Sequence, residues 1–314
     1  MSEHPIACCL TFDFDGMCGW YGGEPVTNPS VLSRGEFAAV AVPRILALLA
    51  RHGVEASFAV PGHTALAFPD LVRRIRDAGH ELVHHGWAHE NPARFDLAGE
   101  RRIIEQGLEA LRRVAGVELR GYRSPAWDLS PHTLALLREY GFRYDSSCMG
   151  GDFDPYYLRE GDRWSADEPY RFGQLVDLVE LPVYWGLDDW PHFEFVWGST
   201  EGLRDPRAVE ASWKAEFDQA AAHHPGGFFM LTFHPEVIGR GARLALLERL
   251  IEHGLGRARF VSMGRYVEEW RAKHPLAEWA KANPERSGQG AITQWPEARP
   301  AQSSLASGTR RGSG

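Results

Sequence analysis

Short apolar runs alternate with amphipathic segments along most of the chain. Runs such as IACCLTFDF are typical of buried strands, and the segments between them repeat apolar residues at helical spacing. The strand candidates are IACCLTFDF (6–14), EASFAVPG (55–62), HELVHHG (80–86), LRGYRSP (119–125), FRYDSS (142–147), LVDLVELPVYW (175–185), GGFFMLTFHPE (226–236) and ARFVSM (258–263). Repeated strand–helix units predict an α/β fold, a distorted (β/α) barrel of about seven strands in a single domain. An open doubly wound sheet is the alternative.

Local signals mark several helix boundaries. SRGE at 33–36 has capping-box spacing and predicts a helix that begins at Ser33 and ends at Gly53. Ser130 and Pro131 predict the start of another helix. Later helices are expected near 206–222, 242–253 and 264–273.

The C-terminal segment has a different composition. From 282 to 314 the chain is rich in Pro, Gly, Ser and Ala and has little periodicity. We therefore expect the barrel to occupy 1–281 and a flexible tail to occupy 282–314.

Composition excludes several classes of protein. With 314 residues, of which 44% are hydrophobic and 24% charged, the chain can bury a large core. A net charge of −8 and the lack of a long Lys/Arg block argue against nucleic acid as a partner. The first residues do not resemble a secretion signal, and no apolar run is long enough for a membrane span, so a cytoplasmic protein is expected. The four cysteines form no CxxC pair, which argues against a disulfide framework.

Polar residues follow the predicted strands. In a barrel the C-terminal strand ends meet around one mouth, where catalytic groups of such folds gather. The residues at these ends are Asp13, Asp15, His85, Arg123, Asp145, Asp188, Asp189 and His234. We expect them to surround a common site. Asp145 has an alternative role, as a cap of the turn formed with the two serines that follow it.

Two of the histidines have the spacing of metal ligands. His85 and His89 are four residues apart, and a carboxylate from the first strand would complete an Asp/His/His triad with positions left for water and substrate. Asp13 and Asp15 face the same way on a strand, so one can serve as ligand and the other as general base. His84 faces the opposite side and is expected to pack.

Short motifs in this order resemble the polysaccharide deacetylase family, carbohydrate esterase family 4. TFDFDG (11–16) is similar to the first family motif, with Phe14 inserted between the two acids. The resemblance implies that Asp13 is the catalytic base and Asp15 a metal ligand. HGWAH (85–89) is similar to the second motif, with Gly86 in place of Ser or Thr, and implies His85 and His89 as ligands.

The later motifs match less completely. RSPAW (123–127) resembles the third motif and implies that Arg123 steadies the base and Pro125 shapes the groove, although Ala126 replaces an aromatic residue. LTFH (231–234) is similar to the last motif and implies His234 as the acid that protonates the leaving nitrogen. The fourth motif is only loosely echoed by DDW (188–190).

The departures indicate a branch within the family. The spaced acids, HGWAHE, YDSS and ELPVYWGLDDW resemble the branch that contains the Helicobacter-type peptidoglycan deacetylase and cyclic imide hydrolases. That branch is also similar to allantoinases that lack the usual zinc amidohydrolase fold. The resemblance implies a homotetramer and one divalent ion, with zinc expected, although some relatives work without metal.

Tryptophans near the strand ends suggest a substrate wall. The expected substrate contacts are Trp87, Pro125, Trp127, Asp188 and Trp190, with Phe193 and Trp197 as further aromatic candidates. We expect metal-assisted hydrolysis of an amide carbon–nitrogen bond in an N-acetyl sugar or a small cyclic imide or ureide. The alternatives are a metal-independent imidase or allantoinase-like enzyme and a non-catalytic carbohydrate-binding barrel.

Overall fold

The structure is a computed structural model that describes residues 5–22, 26–196 and 200–291. Its strands are β1 (Ile6–Asp13), β2 (Ser57–Val60), β3 (Glu81–His84), β4 (Gly121–Tyr122), β5 (Tyr144–Asp145), β6 (Tyr156–Glu160), β7 (Gln174–Glu180), β8 (Phe195–Val196), β9 (Thr200–Glu201), β10 (Phe228–Phe233) and β11 (Ala258–Phe260). Strands β8 and β9 form a separate small hairpin. The other nine belong to one sheet.

Helices follow most of the strands. They are α1 (Cys18–Tyr21), α2 (Pro29–Glu36), α3 (Ala38–His52), α4 (Gly62–Ala67), α5 (Pro69–Asp77), α6 (Leu97–Ala115), α7 (Thr133–Glu139), α8 (Asp189–Phe193), α9 (Pro206–His223), α10 (Pro235–Ile238), α11 (Gly241–Gly254), α12 (Met263–Lys273) and α13 (Leu276–Ala282). Within the described part of the chain, no helix is both long and apolar enough to cross a lipid bilayer.

The sheet is curled into a distorted barrel. Its strand order is β10-β1-β2-β3-β4-β5-β7-β6, with β11 paired to the start of β1. The seven neighbouring strands from β10 to β7 in this order are parallel to one another, whereas β6 is antiparallel to β7. A parallel bridge between Asp188 and Thr232 joins the segment after β7 to β10, which brings the two ends of the parallel sheet together. The predicted barrel of about seven strands is therefore confirmed.

The core explains why β1 lies at the centre of the fold. All eight residues of this strand are buried, as expected for a parallel strand covered on both faces. Phe12 stacks on Phe58 of β2 at 4.8 Å between ring centroids and contacts Phe233 of β10 at 5.4 Å. Burial of each such ring contributes about 1.5–3 kcal/mol. The apolar first strand thus delivers its terminal acids to a rigid position.

The helix signals were partly confirmed. Helix α3 ends at His52 and is capped, as predicted, by Gly53, which adopts the left-handed conformation with a φ of 62°. The predicted start at Ser33 is wrong, because Asn28 caps α2 and Ser33 lies inside that helix, where its hydroxyl donates to the carbonyl oxygen of Ser30. The predicted start at Ser130 and Pro131 is also wrong, because α7 begins at Thr133 with His132 at its N-cap, and the hydroxyl of Ser130 accepts a hydrogen bond from the backbone N–H of His132 before the helix begins.

The packed chain extends beyond the predicted start of the tail at 282. A 3-10 turn at Pro284–Ser287 follows α13, and Arg286 donates from its guanidinium to the carbonyl oxygen of Gly150 at 2.5 Å. Arg159 in turn donates to the carbonyl oxygen of Arg286 at 2.8 Å. These contacts attach residues 284–287 to the barrel. Positions 292–314 of the predicted tail lie outside the described residues.

Candidate active site

Polar side chains from four strand ends meet at the mouth of the barrel, and several of them line one cavity. The residues that carry them lie at or just after the C-terminal ends of β1, β3, β4 and β10. These four strands run in the same direction. The cavity has a volume of about 210 Å³. Its lining residues are Asp13, Asp15, Gly19, His89, Ala126, Trp127, Trp185, Asp188, Trp190 and His234.

Asp15, His85 and His89 form a set that fits a metal ion. Nε2 of His85 lies 3.4 Å from Oδ1 of Asp15, and Nε2 of His89 lies 3.4 Å from Oδ2 of the same carboxylate. Oδ1 of Asp15 is buried and accepts no hydrogen bond from the described residues. His85 donates from Nδ1 to the carbonyl oxygen of Arg123 at 2.7 Å, which leaves the lone pair of Nε2 free for an ion. Two imidazoles and one carboxylate are ligands typical of catalytic zinc sites.

Electrostatics keep the carboxylate of this set ionised. Burial by itself opposes ionisation of Asp15, but the neighbouring imidazoles of His89 and His85 together hold the pKa of Asp15 well below its usual value. For His89, burial is the larger effect and lowers its pKa, so the neutral imidazole is favoured. An ionised carboxylate beside a neutral imidazole is the form in which these groups bind metal.

Asp13 lies beside this set and is held by Arg123. Nη1 of Arg123 donates to Oδ1 of Asp13 at 2.8 Å, and both side chains are buried. Oδ2 of Asp13 lies 3.9 Å from Nε2 of His85, so it points toward the proposed ion position. The arginine also donates from Nε and Nη2 to the backbone and hydroxyl of Ser146. One carboxylate oxygen is thus fixed, and the other faces the site.

His234 reaches the cavity from the opposite side and is paired with Asp189. Nδ1 of His234 donates to Oδ1 of Asp189 at 2.8 Å, and its backbone N–H donates to the same carboxylate. Nε2 lies 3.8 Å from Oδ2 of Asp15. Burial opposes protonation, but Asp188 and Asp189 raise the pKa of His234 well above its ordinary value. The imidazolium is therefore positioned to donate a proton.

Asp188 and Asp189 have different positions although they are adjacent. Asp189 is fully buried and holds His234, whereas Asp188 lines the cavity and accepts from the backbone of Trp190 at 2.7 Å. Burial raises the pKa of Asp188 to about 7 against the opposing charge of His234. Asp189 was expected near the mouth with the other strand-end residues, but the sequence assigned it no catalytic, substrate-binding or metal-binding role. Its only sequence signal was its place in the DDW segment after a strand.

Aromatic rings enclose the cavity. Trp127 and Trp185 lie 4.1 Å apart between ring centroids, and Trp190 packs between Trp20 at 5.1 Å and His234 at 5.0 Å. Trp185 was not predicted, although it stands in the same WGLDDW segment as Trp190. Ala126 and Trp127 adopt left-handed backbone conformations with φ of 53° and 56°, which turn the tryptophan into the cavity.

Other predicted contacts are not brought together there. Trp87 packs on His63 and lines a separate shallow pocket on α6, because the turn after β3 directs it away from the mouth. Pro125 is buried against Gly86, where an added Cβ would lie 3.2 Å from its Cγ, so it supports the loop without lining the cavity. Phe193 is in the core against Trp213. Trp197 lies outside the described residues.

His84 packs on the other face of β3, as expected. Its Nε2 donates to the carbonyl oxygen of Ile104 at 3.1 Å, and its Nδ1 accepts from the backbone of Gly86 at 3.2 Å. Asp145 accepts from the hydroxyl of Ser147 at 2.7 Å, which supports the turn role that the sequence left open. It does not line the cavity with the other strand-end residues.

A barrel with this set of acids and histidines defines a class of hydrolase, and comparisons with known proteins identify the family. The polysaccharide deacetylase family model matches residues 9–144. The peptidoglycan deacetylase of Helicobacter pylori is 36% identical over 257 residues, which cover 77% of this chain and 87% of that protein.

Solved structures agree with this relationship. A Mycobacterium smegmatis structure described as a polysaccharide deacetylase has a TM-score of 0.74 and 36% identity, covering 86% of this chain and 91% of that chain. PuuE allantoinase has a TM-score of 0.70 at 22% identity, covering 87% of this chain and 92% of that chain, and shares the fold. The chain belongs to the polysaccharide deacetylase family. It is a hydrolase of non-peptide carbon–nitrogen bonds, as the named deacetylases are.

Proposed function

We propose that this chain carries out metal-assisted hydrolysis of a small cyclic imide or ureide. The observation that carries the proposal is the compact cavity of about 210 Å³ between Trp127, Trp185 and Trp190. Flat indole faces suit a planar ring, and a cavity of this size accommodates a small molecule better than a polymer. The carboxyl group of Asp188 lies at the wall, where it can hydrogen-bond a ring N–H or carbonyl oxygen.

The residues of the site have complementary roles in this reaction. A divalent ion held by Asp15, His85 and His89, with zinc proposed, would polarise the substrate carbonyl and make water more acidic. Asp13 takes the proton of the attacking water at Oδ2, because Arg123 already engages its Oδ1. Arg123 thereby orients the base.

His234 completes the reaction as the general acid. Its Nε2 faces the cavity and donates a proton to the departing nitrogen, while Asp189 binds Nδ1 and stabilises the imidazolium. A base that works ionised and an acid that works protonated give a bell-shaped dependence of kcat/KM on pH. Deprotonation of His234 sets the alkaline limb of that profile, because its pKa is raised.

The second candidate is deacetylation of an N-acetyl amino sugar. It is supported by the peptidoglycan deacetylase that is 36% identical to this chain. The same acid, base and ligand set can cleave an acetamide, since both reactions add water to an amide carbonyl. The two candidates differ in the shape of the substrate and share the proposed mechanism.

A substrate comparison tests the proposal. Purified protein is assayed with succinimide, allantoin, N-acetylglucosamine and its oligomers, before and after chelation, with Asp13→Asn as the inactive control. We expect turnover of an imide or ureide, little action on long oligomers, and loss of activity on chelation. Deacetylation of oligomers without imide turnover would establish the second candidate. Full activity after complete metal removal would establish the metal-independent alternative.

Two further predictions accompany the assay. Elemental analysis is expected to find up to about one zinc per chain, the number that one Asp/His/His site holds.

The homotetramer implied by the resemblance is tested by light scattering during size-exclusion chromatography.

A further inference from the structure

Two carboxyl groups outside the site are buried side by side, and neither forms an ion pair with another of the described residues. Asp145 ends β5 and Glu180 ends β7, and the two residues are paired in register across the parallel strands. Both are completely buried. Oδ2 of Asp145 and Oε2 of Glu180 have no hydrogen-bond partner among the described residues. Two adjacent carboxylates in such a place would repel each other strongly.

The remaining oxygens of this pair accept ordered hydrogen bonds. Oε1 of Glu180 accepts from the backbone N–H groups of Ser147 and Cys148, each at 2.9 Å. Oδ1 of Asp145 accepts from the hydroxyl of Ser147 at 2.7 Å. That hydroxyl in turn accepts from the backbone N–H of Ser124, the residue after Arg123, at 2.9 Å. The pair therefore fixes the turn at 146–148 and ties it to the loop that carries Arg123.

The same turn holds the guanidinium of Arg123. Nε donates to the carbonyl oxygen of Ser146 at 3.2 Å, and Nη2 donates to its hydroxyl at 2.9 Å. The third nitrogen, Nη1, donates to Oδ1 of Asp13 at 2.8 Å. The turn thus connects the carboxyl pair, which binds it at Ser147 and Cys148, to Arg123, which binds it at Ser146 and in turn contacts the proposed base.

We propose that Asp145 and Glu180 share one proton and act together as positioning residues for Arg123 and, through it, for Asp13. Glu180 supplies the O–H and Asp145 accepts it, which satisfies both orphaned oxygens. Burial, with the adjacent Asp145, raises the pKa of Glu180 well above its ordinary value, consistent with this assignment. The assignment of Asp13 as base rests on the proposed function, whereas the shared proton does not.

The test compares Glu180→Gln with Glu180→Leu. The glutamine side chain is neutral, can donate from Nε2 to Asp145, and can accept from the backbone at Oε1, whereas leucine of similar size can do neither. We expect E180L to lower kcat by on the order of 10- to 10²-fold with KM changed less than about twofold, because the base is displaced while the cavity is intact. E180Q should restore most of kcat. An E180L protein with wild-type kcat, or an E180Q protein as impaired as E180L, would overturn the proposal.

Two measurements do not depend on activity. The infrared difference spectrum of wild type minus E180Q at neutral pH should contain the band of a protonated carboxyl group. Crystal structures should show Arg123 in contact with Asp13 in E180Q and displaced in E180L. If E180L fails to fold, Ser147→Ala, which removes only one hydroxyl of the turn, is expected to lower kcat several-fold at unchanged KM.

The remaining outcomes separate this proposal from others. Cys148 and the two carboxyls also lie close enough to hold an ion. A second metal equivalent that disappears in E180Q would therefore replace the shared proton with a metal site and overturn the inference. If the wild type hydrolyses neither imides nor acetylated sugars, the proposed function fails. The infrared and crystallographic results then decide the role of the pair by themselves.

Discussion

His84 is the last residue of β3 and His85 follows it; both are buried, but their pKa values shift in opposite directions. His84 faces the helices and stacks on Tyr122 at 5.4 Å between ring centroids, and burial, with the adjacent His85, lowers its pKa to about 4. His85 faces the barrel mouth, where burial is outweighed by Asp13 and Asp15, and its pKa is raised. Burial alone therefore does not predict the role of a histidine. The charged groups on the face of the strand that it occupies determine whether its pKa is raised or lowered.

The largest effect is expected from substitution of His85, the histidine that faces the barrel mouth. His85→Ala should abolish binding of the proposed ion and lower kcat/KM by on the order of 10³-fold or more, since several kcal/mol of transition-state stabilisation would be lost. Elemental analysis and kinetics check this result. The matched control is His84→Gln, whose amide can replace both hydrogen bonds of the imidazole and which should retain metal. Loss of metal from both variants would show that the two faces are not independent.

A second variant distinguishes the role of Asp13 from that of Asp15, the two acids that raise the pKa of His85. Asp13→Asn should lower kcat by on the order of 10²-fold while metal content stays near that of the wild type, because the base is distinct from the ligand Asp15. Activity and metal content are measured on the same preparation, with Asp15→Asn as the comparison. Equal metal loss in both variants would mean that the roles of Asp13 and Asp15 are reversed.

The lowered pKa of His84, the histidine that faces the helices, predicts that the stability of the protein depends on pH. The folded protein favours neutral His84, because its pKa falls from 6.5 to about 4 on folding. Its contribution is complete above about pH 6.5 and is lost as the pH falls toward about 4. Between pH 7.5 and 4.5, wild type should therefore lose roughly 2–3 kcal/mol more unfolding free energy than His84→Gln. Urea titrations measure the difference, and parallel pH profiles of the two proteins would contradict it.

A smaller effect is expected from a substitution that disturbs the packing of α6 against His84. Gly107 of α6 faces His84, and an added Cβ would clash with Nε2 of the imidazole and lie 2.7 Å from the carbonyl oxygen of Gly86. Gly107→Ala should cost about 1–3 kcal/mol despite the better helix propensity of alanine. The control is Gln106→Ala on the exposed side of the same helix, expected within about 0.5 kcal/mol of wild type. Thermal or urea unfolding that ranks the two alike would show that the helix can move away from β3.

Local patterns determined much of the fold and part of the site. The alternation of apolar runs with helical segments predicts the parallel barrel, because each strand must be covered by the helix that follows it. The period of two along a strand separates His84 from His85 and gives Asp13 and Asp15 a common direction. The positions of Asp13, Asp15, His85, His89, Arg123 and His234 around one mouth follow from these rules, since parallel strands end at the same edge.

Only the tertiary structure decided which partners these residues meet. His234 donates its hydrogen bond to Asp189 and not to Asp188, Trp185 enters the cavity while Trp87 does not, and Glu180 lies beside Asp145. Each of these contacts joins segments that are distant in sequence or depends on how an irregular loop turns. No strand or helix period specifies a loop conformation, so the charge of a buried group and the shape of the cavity became defined only when the packed elements brought these loops together.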